Sequence, residues 1–310
     1  RIRDDYLPVD SSDRLDYRPG GQAQCDLWFP PVKVPLGHGQ TGSPPVLVMV
    51  ASFSRFITAT MIPSRTTADL LAGHWRLLSG LGAVPGRLVW DNEPGIGRGA
   101  KLTTEARAFA GSLATRFVLL KAFDPESKGI VERANRYLET SFLPGRVFAS
   151  PTDFNTQLTD WLTLANTRRV RRIAARPVDA IDADRAAMTP LPPIAPVIGV
   201  RERIRLGRDY YVRIGSNDYS VDPRFIGRFV DIQADLDHVT ITSDGDPAGR
   251  HDRCWASGQT ITDKEHVVTA QGLRKNFQRP RPVVVVDDLH RDLADYDTAF
   301  GVQLGEQVSA

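Results

Sequence analysis

The sequence has 310 residues, 41% of them hydrophobic and 25% charged, an ordinary globular composition with material for about two domains and a sizeable core. No apolar run approaches the roughly 18 residues needed to span a bilayer, and the two cysteines, Cys25 and Cys254, lie too far apart for a zinc pattern or a disulfide framework. The net charge of +2 hides basic clusters at Arg168, Arg169, Arg171, Arg172 and Arg176 and at Arg274, Lys275, Arg279 and Arg281, and local patches bear on nucleic-acid binding more than the total does. No basic, apolar leader opens the chain. Opening on Arg1 rather than Met, it reads as a fragment of a protein from a reducing compartment, the cytoplasm, without membrane contact.

In chain order, residues 1–20 read as a polar lead-in. Residues 22–29 alternate as a strand, with Cys25, Leu27 and Phe29 on the apolar face and Asp26 opposite it. Pro and Gly then mark a hairpin connection. Residues 46–53 and 56–62 give two more strands, joined by Ser54-Arg55, close enough together to pair antiparallel. Thr66 or Thr67 caps a helix that runs to Leu81. Strands are predicted at 87–90 and 116–121, and helices at 102–113, 127–143 and 152–166. Residues 177–197, rich in Ala and Pro, read as a linker. Short strands at 210–214, 218–221, 229–234 and 238–242, separated by Gly/Asp turns, predict a small β-barrel. The resulting division is 1–20 lead-in, 21–148 α/β domain with a mixed sheet, 149–196 Arg-rich helical linker, 197–260 barrel and 261–310 a tail that is partly extended or flexible.

Three acids stand where chemistry could use them. Asp26 lies within the first strand, Asp91 closes the strand at 87–90, and Glu132 sits on the helix at 127–143. Carboxylates from separated elements make a hard, oxygen-rich site suited to Mg²⁺ or Mn²⁺. Two such ions can serve both oxygens of an in-line displacement at a phosphodiester. Taken singly, each acid has an ordinary reading as a turn former or a solvated surface group. Glu93 and Glu126 are rival acids; a helix holds a ligand better than a loop, which favours Glu132. Gly95-Ile-Gly97-Arg98-Gly99 follows a strand but lacks the Lys-Ser/Thr of a phosphate loop, and reads as a flexible loop bringing Arg98 and Lys101 near the site.

The surrounding words decide between these readings. Gln22-Ala-Gln-Cys-Asp26, Val89-Trp-Asp91-Asn92-Glu93 and Lys128-Gly129-Ile-Val-Glu132-Arg-Ala-Asn135 resemble the three blocks of the retroviral-integrase and DDE-transposase superfamily. The layout is closest to the insertion-sequence twenty-one family. Cys25 and Leu27-Trp28-Phe29 depart from the family's usual aliphatic residue and Trp-Gly, while keeping the strand apolar. The resemblance implies a ribonuclease H-like core over about 18–146, then a helical linker and barrel to about Trp255. It makes Asp26, Asp91 and Glu132 the catalytic metal ligands, for two Mg²⁺ or Mn²⁺ ions when DNA is bound.

Lys128, Glu132, Asn135, Arg136 and Glu139 recur at helical spacing, which predicts a DNA-facing side carrying Lys128, Asn135 and Arg136. Asn92, Arg98 and Lys101 are further DNA contacts beside the acids. Arg168, Arg169, Arg171 and Arg172 are expected on phosphates, as are Arg205 and Arg213 of a basic barrel that also holds Arg201, Arg203 and Arg208. Tyr210, Tyr211 and Tyr219 read as packing, and His251 and Arg253, beside Trp255, as structure or DNA contact. Cys25 reads as a small buried hydrophobe.

The function so implied is a DNA transposase that cuts transposon ends to expose a 3′-hydroxyl and transfers it into target DNA. It acts as a multimer, with an AAA+ ATPase helper and an N-terminal helix-turn-helix region outside this sequence, among the bacterial nucleoid. A ribonuclease H-like nuclease without strand transfer, and a non-catalytic DNA-binding protein of the same fold, are the alternatives. A nucleotide-binding α/β enzyme is the weakest.

Overall fold

The computed structural model describes residues 15–99, 101–120, 128–279 and 293–301. In chain order come β1 (Ala23–Trp28), β2 (Val34–Gly37), β3 (Gln40–Gly42), β4 (Val46–Ala51), β5 (Ile57–Met61), α1 (Thr67–Leu81), β6 (Ala83–Val84) and β7 (Leu88–Trp90). Next are β8 (Gly97–Arg98), β9 (Lys101–Leu102), α2 (Thr104–Ser112), β10 (Phe117–Leu119), α3 (Gly129–Tyr137), α4 (Pro151–Ala165), α5 (Pro177–Ala187) and β11 (Thr189–Pro190). The C-terminal part holds β12 (Val200–Arg205), β13 (Tyr211–Ile214), β14 (Asn217–Ser220), β15 (Phe229–Ala234), β16 (His238–Ser243), β17 (Asp246–Asp252), β18 (Thr260–Ile261), α6 (Lys264–Gln278) and α7 (Leu293–Phe300).

The main sheet has the order β10-β7-β1-β4-β5. β4 and β5 pair antiparallel across a short connection, β1 pairs antiparallel with β4 after the β2–β3 hairpin, and β7 and β10 run parallel to β1 after helical crossovers. This is the ribonuclease H-like mixed sheet. Both faces are covered, which explains why β4 is apolar throughout. On one face Cys25, Leu47 and Met49 pack with α1 and α2. On the other, Trp28, Val48 and Val50 pack with α3 and α4. Asp26 therefore does not look into solvent opposite an apolar face. It shares a second packed face with Gln24 and Trp28, because the sequence alternation could not show that a helix covers that side.

Capping chemistry fixes α1 as expected. The Thr66 side chain accepts from the Asp69 amide, and Gly82 ends the helix at φ 81°. His74 on α1 is fully buried, with Nδ1 2.8 Å from the Leu70 carbonyl. Its Nε2 accepts from Trp90 Nε1 at 3.1 Å, so the neutral Nδ1–H tautomer fits both partners. Burial lowers its pKa from 6.5 to about 4, against the hydrogen bond that Nδ1–H donates to the Leu70 carbonyl. Unfolded chains take up the proton near pH 6.5 and the folded chain does not until near pH 4. Stability is thus whole above pH 6.5 and falls between those values, by about 3 kcal/mol at the lower end. Urea unfolding of the parent and of His74→Gln should show that acid-side loss only in the parent; parallel pH profiles would refute it.

Residues 177–197 are not a plain linker. Pro177 suits the first turn of a helix and alanine favours its interior, giving α5 with Ile181 buried, and β11 pairs with β6. Asp184, fully buried on α5, accepts from the Gly20 amide at 2.6 Å and the Ser54 amide at 2.9 Å, tying the start of β1 and the β4–β5 turn to α5. The tail is also more ordered than expected. Asp263 caps α6, whose His266 Nδ1 lies 2.9 Å from Ser220 Oγ. With few apolar residues on α6, its periodicity gave little signal. Residues 280–292 and 302–310 lie outside the described residues.

The C-terminal strands form a four-stranded sheet, β12-β15-β16-β17, and a three-stranded one, β13-β14-β18. They enclose one core of Leu206, Val212, Tyr219, Val230, Ile232 and Ile241. Among the described residues no continuous ring of hydrogen bonds closes them into a barrel. This unit is anchored to the first: Asp69 of α1, without solvent exposure, meets Arg253 with Oδ1–Nη1 at 2.7 Å and Oδ2–Nη2 at 3.1 Å. His251 Nε2 lies 2.6 Å from the Ser220 carbonyl. Both residues have structural partners.

Candidate active site

β1 and β7 run side by side with Ala23 opposite Leu88 and Gln24 opposite Val89. Carrying that register on by two residues brings Asp26 beside Asp91, at the carboxyl end of β7. α3 crosses this point on the Asp26 face. Lys128 Nζ lies 2.8 Å from Asp26 Oδ1 and 3.5 Å from Asp91 Oδ2. One turn beyond Glu132, Asn135 Nδ2 donates to the other Asp26 oxygen at 2.9 Å. Lys128, Glu132 and Asn135 are spaced i, i+4, i+7, so a helix holding its first and last members on Asp26 turns Glu132 to the same side.

Glu132 itself is exposed and in the first turn of α3, where a carboxylate is favoured by the helix dipole. The three acids are not tightly gathered: the set of such groups within 4.8 Å of one another among the described residues is Asp235, Asp237 and His238, elsewhere in the molecule.

The anchor of α3 is a residue that sequence reading did not assign. Lys128 gives the helix no side-chain cap. Gln24, fully buried and two residues before Asp26, supplies it instead: its Oε1 accepts from the Ile130 and Val131 amides at 3.0 and 3.1 Å. These are donors that a helix start leaves unpaired. Only the period-two pattern of β1, which puts Gln24 and Asp26 on one face, hinted at it.

Asp91 is half exposed, at 56%. Its Oδ1 accepts from the Asn92 amide at 2.8 Å, and Asn92 Nδ2 donates to the Leu120 carbonyl at 3.3 Å, so Asn92 shapes the turn as well as lining the site. The rival Glu93 is ion-paired to Arg65 at 2.8 Å; Glu126 lies outside the described residues. Cys25 behaves as a small core hydrophobe: burial first, then the charge of Asp26, push its thiol well above the ordinary pKa.

The donor chemistry fits a divalent cation. Two carboxylates already converge on one cationic group, the Lys128 ammonium. Burial disfavours that charge, yet the hydrogen bond and charge of Asp26, then Asp91, outweigh it and raise the lysine's pKa. Lys128 thus stands where a metal would, and competes with one. Replacing Lys128 by Ala should tighten Mn²⁺ binding in the absence of DNA by about tenfold, since two unit charges ~4 Å apart near a protein surface interact by roughly 1–4 kcal/mol and about 1.4 kcal/mol is tenfold. Calorimetric titration reads this directly, and unchanged or weaker affinity would refute it.

The glycine-rich stretch is not a phosphate cradle or a loose loop. A Cβ on Gly95 would sit 2.5 Å from Leu70 Cδ1, and one on Gly97 would sit 2.4 Å from the Lys101 carbonyl. The glycines allow close packing of the β8–β9 hairpin, which leaves Arg98 and Lys101 exposed and facing each other in register.

The other predicted DNA contacts divide. Arg136, Arg169, Arg171 and Arg205 are exposed, though Arg205 Nε also donates to the Gly227 carbonyl. Arg168 lies 3.7 Å from the Tyr137 ring centre. Arg172 donates to the Leu15 carbonyl and faces Asp16 at 3.6 Å. Arg213 is held bidentately by Asp218 at 2.8 and 2.9 Å, so its charge is already met.

The chain is similar in sequence to several known proteins. Residues 191–263 match the family described as Mu transposase, C-terminal domain. The chain is 32% identical over 143 residues to the transposase for insertion sequence element IS21 of Pseudomonas aeruginosa, covering 45% of this chain and 37% of that one. It is 28% identical over 260 residues to a protein of Mycobacterium tuberculosis named as a transposase, covering 80% of this chain and 62% of its relative. The chain therefore spans between about a third and two thirds of these relatives' lengths. The catalytic core domain of BIV integrase, 18% identical over 52% of this chain and 93% of its own, superposes with a TM-score of 0.40, a likeness too distant to bear on function. The sequence relatives that the chain resembles are thus named as transposases, and the likeness runs over between about half and four fifths of this chain.

Proposed function

We propose that this chain is the catalytic part of a DNA transposase, cutting transposon ends and joining them to target DNA. The observation that carries the reading is the Lys128 ammonium held between Asp26 and Asp91, with Glu132 on the same side of α3. Asp26, Asp91 and Glu132 would hold the divalent ions, Mg²⁺ or Mn²⁺. When bound, these supply Lewis-acid polarisation and charge compensation at the scissile phosphate.

The protein's residues do the positioning. Asn135 fixes one oxygen of Asp26, and Asn92 orients Asp91. Gln24 holds α3, and Glu132 with it, against β1. Lys128, once displaced from the carboxylates, would meet the phosphate beside the reacting bond, and Arg136, Arg98 and Lys101 would line the approach. Arg168, Arg169, Arg171, Arg172 and Arg205 would steer the duplex. In cleavage a water oxygen forms the new P–O bond and the 3′-oxygen leaves. In joining, that 3′-hydroxyl attacks a target phosphodiester, one P–O bond replaces another, and no outside energy source is needed. A multimer bridging two ends and an AAA+ helper are the partners the family reading adds. The C-terminal strands would grip DNA as the division at 197–260 proposes.

The test is strand transfer with pre-cut ends, alongside Mn²⁺-dependent nicking, by the parent and by Asp91→Asn. Activity of the parent only, in both assays, is expected. Nicking without transfer would make the chain a ribonuclease H-like nuclease, and equal nicking by both proteins would remove this site from the chemistry.

A further inference from the structure

At the sheet edge remote from Asp91 lies a cavity of about 320 Å³, lined in part by Tyr17, Ser52, Arg55, Arg172 and Ala180. It sits beside the β4–β5 turn, whose preceding residue Ala51 pairs with Ala23 at the start of β1. β7 runs parallel to β1, so Asp91, beyond its end, is on the other edge. None of Asp26, Asp91, Lys128, Glu132 and Asn135 lines the cavity, whereas Arg172, one of the predicted DNA contacts, does.

Arg55 is the unexplained group here. Its Nε and Nη1 are buried, and among the described residues neither has a hydrogen-bond partner. Its guanidinium carbon lies over the Tyr17 ring, 5.1 Å from the ring centre, a contact with a π face and not with an oxygen acceptor. Buried charged donors without acceptors are costly. The backbone adds to the cost: Arg55 has φ 62°, a conformation that glycine or asparagine adopts more cheaply. Its surroundings make matters worse, since burial first and then the charges of Arg133 and Arg172 lower its pKa, with Tyr17 opposing them.

The wall that holds Arg55 is rigidly built. The Ser54 amide is fixed by Asp184, Ser52 N–H by the Gln22 carbonyl at 3.0 Å and Arg55 N–H by the Ala51 carbonyl at 2.9 Å. Arg172 is the second cation of the cavity, and its nearest acid, Asp16, is fully exposed at 3.6 Å. The hydroxyls of Tyr17 and Ser52 can add donors.

We infer that this cavity binds a phosphate-type oxyanion, which bridges the cavity-lining part of the Arg55 side chain to Arg172 and offsets the charge that Arg55 carries without an acid beside it. Guanidinium forks match phosphate oxygens in plane, and the cavity has room for the anion with its waters. A backbone phosphodiester of DNA and free phosphate share this chemistry. The DNA source rests on the transposase reading; the phosphate source does not.

The experiment compares the parent with Arg55→Met and Arg172→Ala. Melting is followed with inorganic phosphate against chloride at matched ionic strength, and duplex DNA affinity is followed against salt. A rise of a few degrees with phosphate in the parent, lost in either variant, is expected. In phosphate-free buffer Arg55→Met should melt no lower than the parent, because it removes an unpaired buried cation. A DNA salt slope reduced by about one in the variants identifies the backbone as the source; an unchanged slope with a lost phosphate response identifies free phosphate. If phosphate acts equally on all three proteins, or on none, and the DNA slopes coincide, the inference is overturned. Asp91-dependent nicking by the parent reports on the enzymatic reading separately.

Discussion

Glu132→Gln should lower Mn²⁺-dependent nicking and strand transfer by about a thousandfold, because a lost ligand forfeits several kcal/mol of transition-state stabilisation and each 1.4 kcal/mol is tenfold. Glu93→Gln should retain activity within an order of magnitude. The contrast comes from geometry. Glu132 lies between Lys128 and Asn135, both of which reach Asp26, whereas Glu93 is engaged by Arg65. Glu132 makes no packing contact that its amide could not keep, since it is exposed in the first turn of α3. DNA affinity and melting temperature should therefore stay near those of the parent. Comparable losses in both variants, or a loss in Glu93→Gln alone, would move the third ligand off α3.

The largest effect on stability is expected at Arg253. Its guanidinium is the partner of Asp69, which has no solvent exposure, and it also donates to the Asp235 carbonyl at 2.6 Å. Arg253→Met leaves a buried carboxylate without its cation, a change that costs about 3–5 kcal/mol. That is a large share of a typical folding free energy, about 5–15 kcal/mol. The double variant Asp69→Leu with Arg253→Met should recover most of the loss, since it removes the stranded charge along with its partner. Urea unfolding of the parent, both single variants and the double variant measures the coupling. A cost under about 1 kcal/mol for Arg253→Met would show that the ion pair does not join the two units energetically.

The legible part of the fold is the part whose signal is local. β1, β4, β5 and α1 follow from alternation, the short β4–β5 connection and the Thr66 cap, and residue boundaries differ by one to two positions. α5 was hidden because its alanines and Pro177 look like linker composition, and its reason for folding, the buried Asp184, is a long-range contact. α6 was hidden because only His266 and Ala270 of its residues are buried. In the site, Asp26, Asp91 and Glu132 are proposed from the words around them. What the words could not carry was the state of the acids, with Lys128 lodged between two of them, or the service of Gln24 to α3. Both depend on side chains about a hundred residues apart in the chain meeting across the strand–helix contact.

The Gln24 clamp has a mechanical corollary. Because one β1 side chain grips the opening amides of α3, Asp26 and Glu132 ride on a single stiff jaw. Asp91, at the tip of a three-residue strand and more than half open to water, is the jaw opposite. Any tightening of the three acids around a loaded substrate should then come from travel of the β7 tip, with the helix standing still.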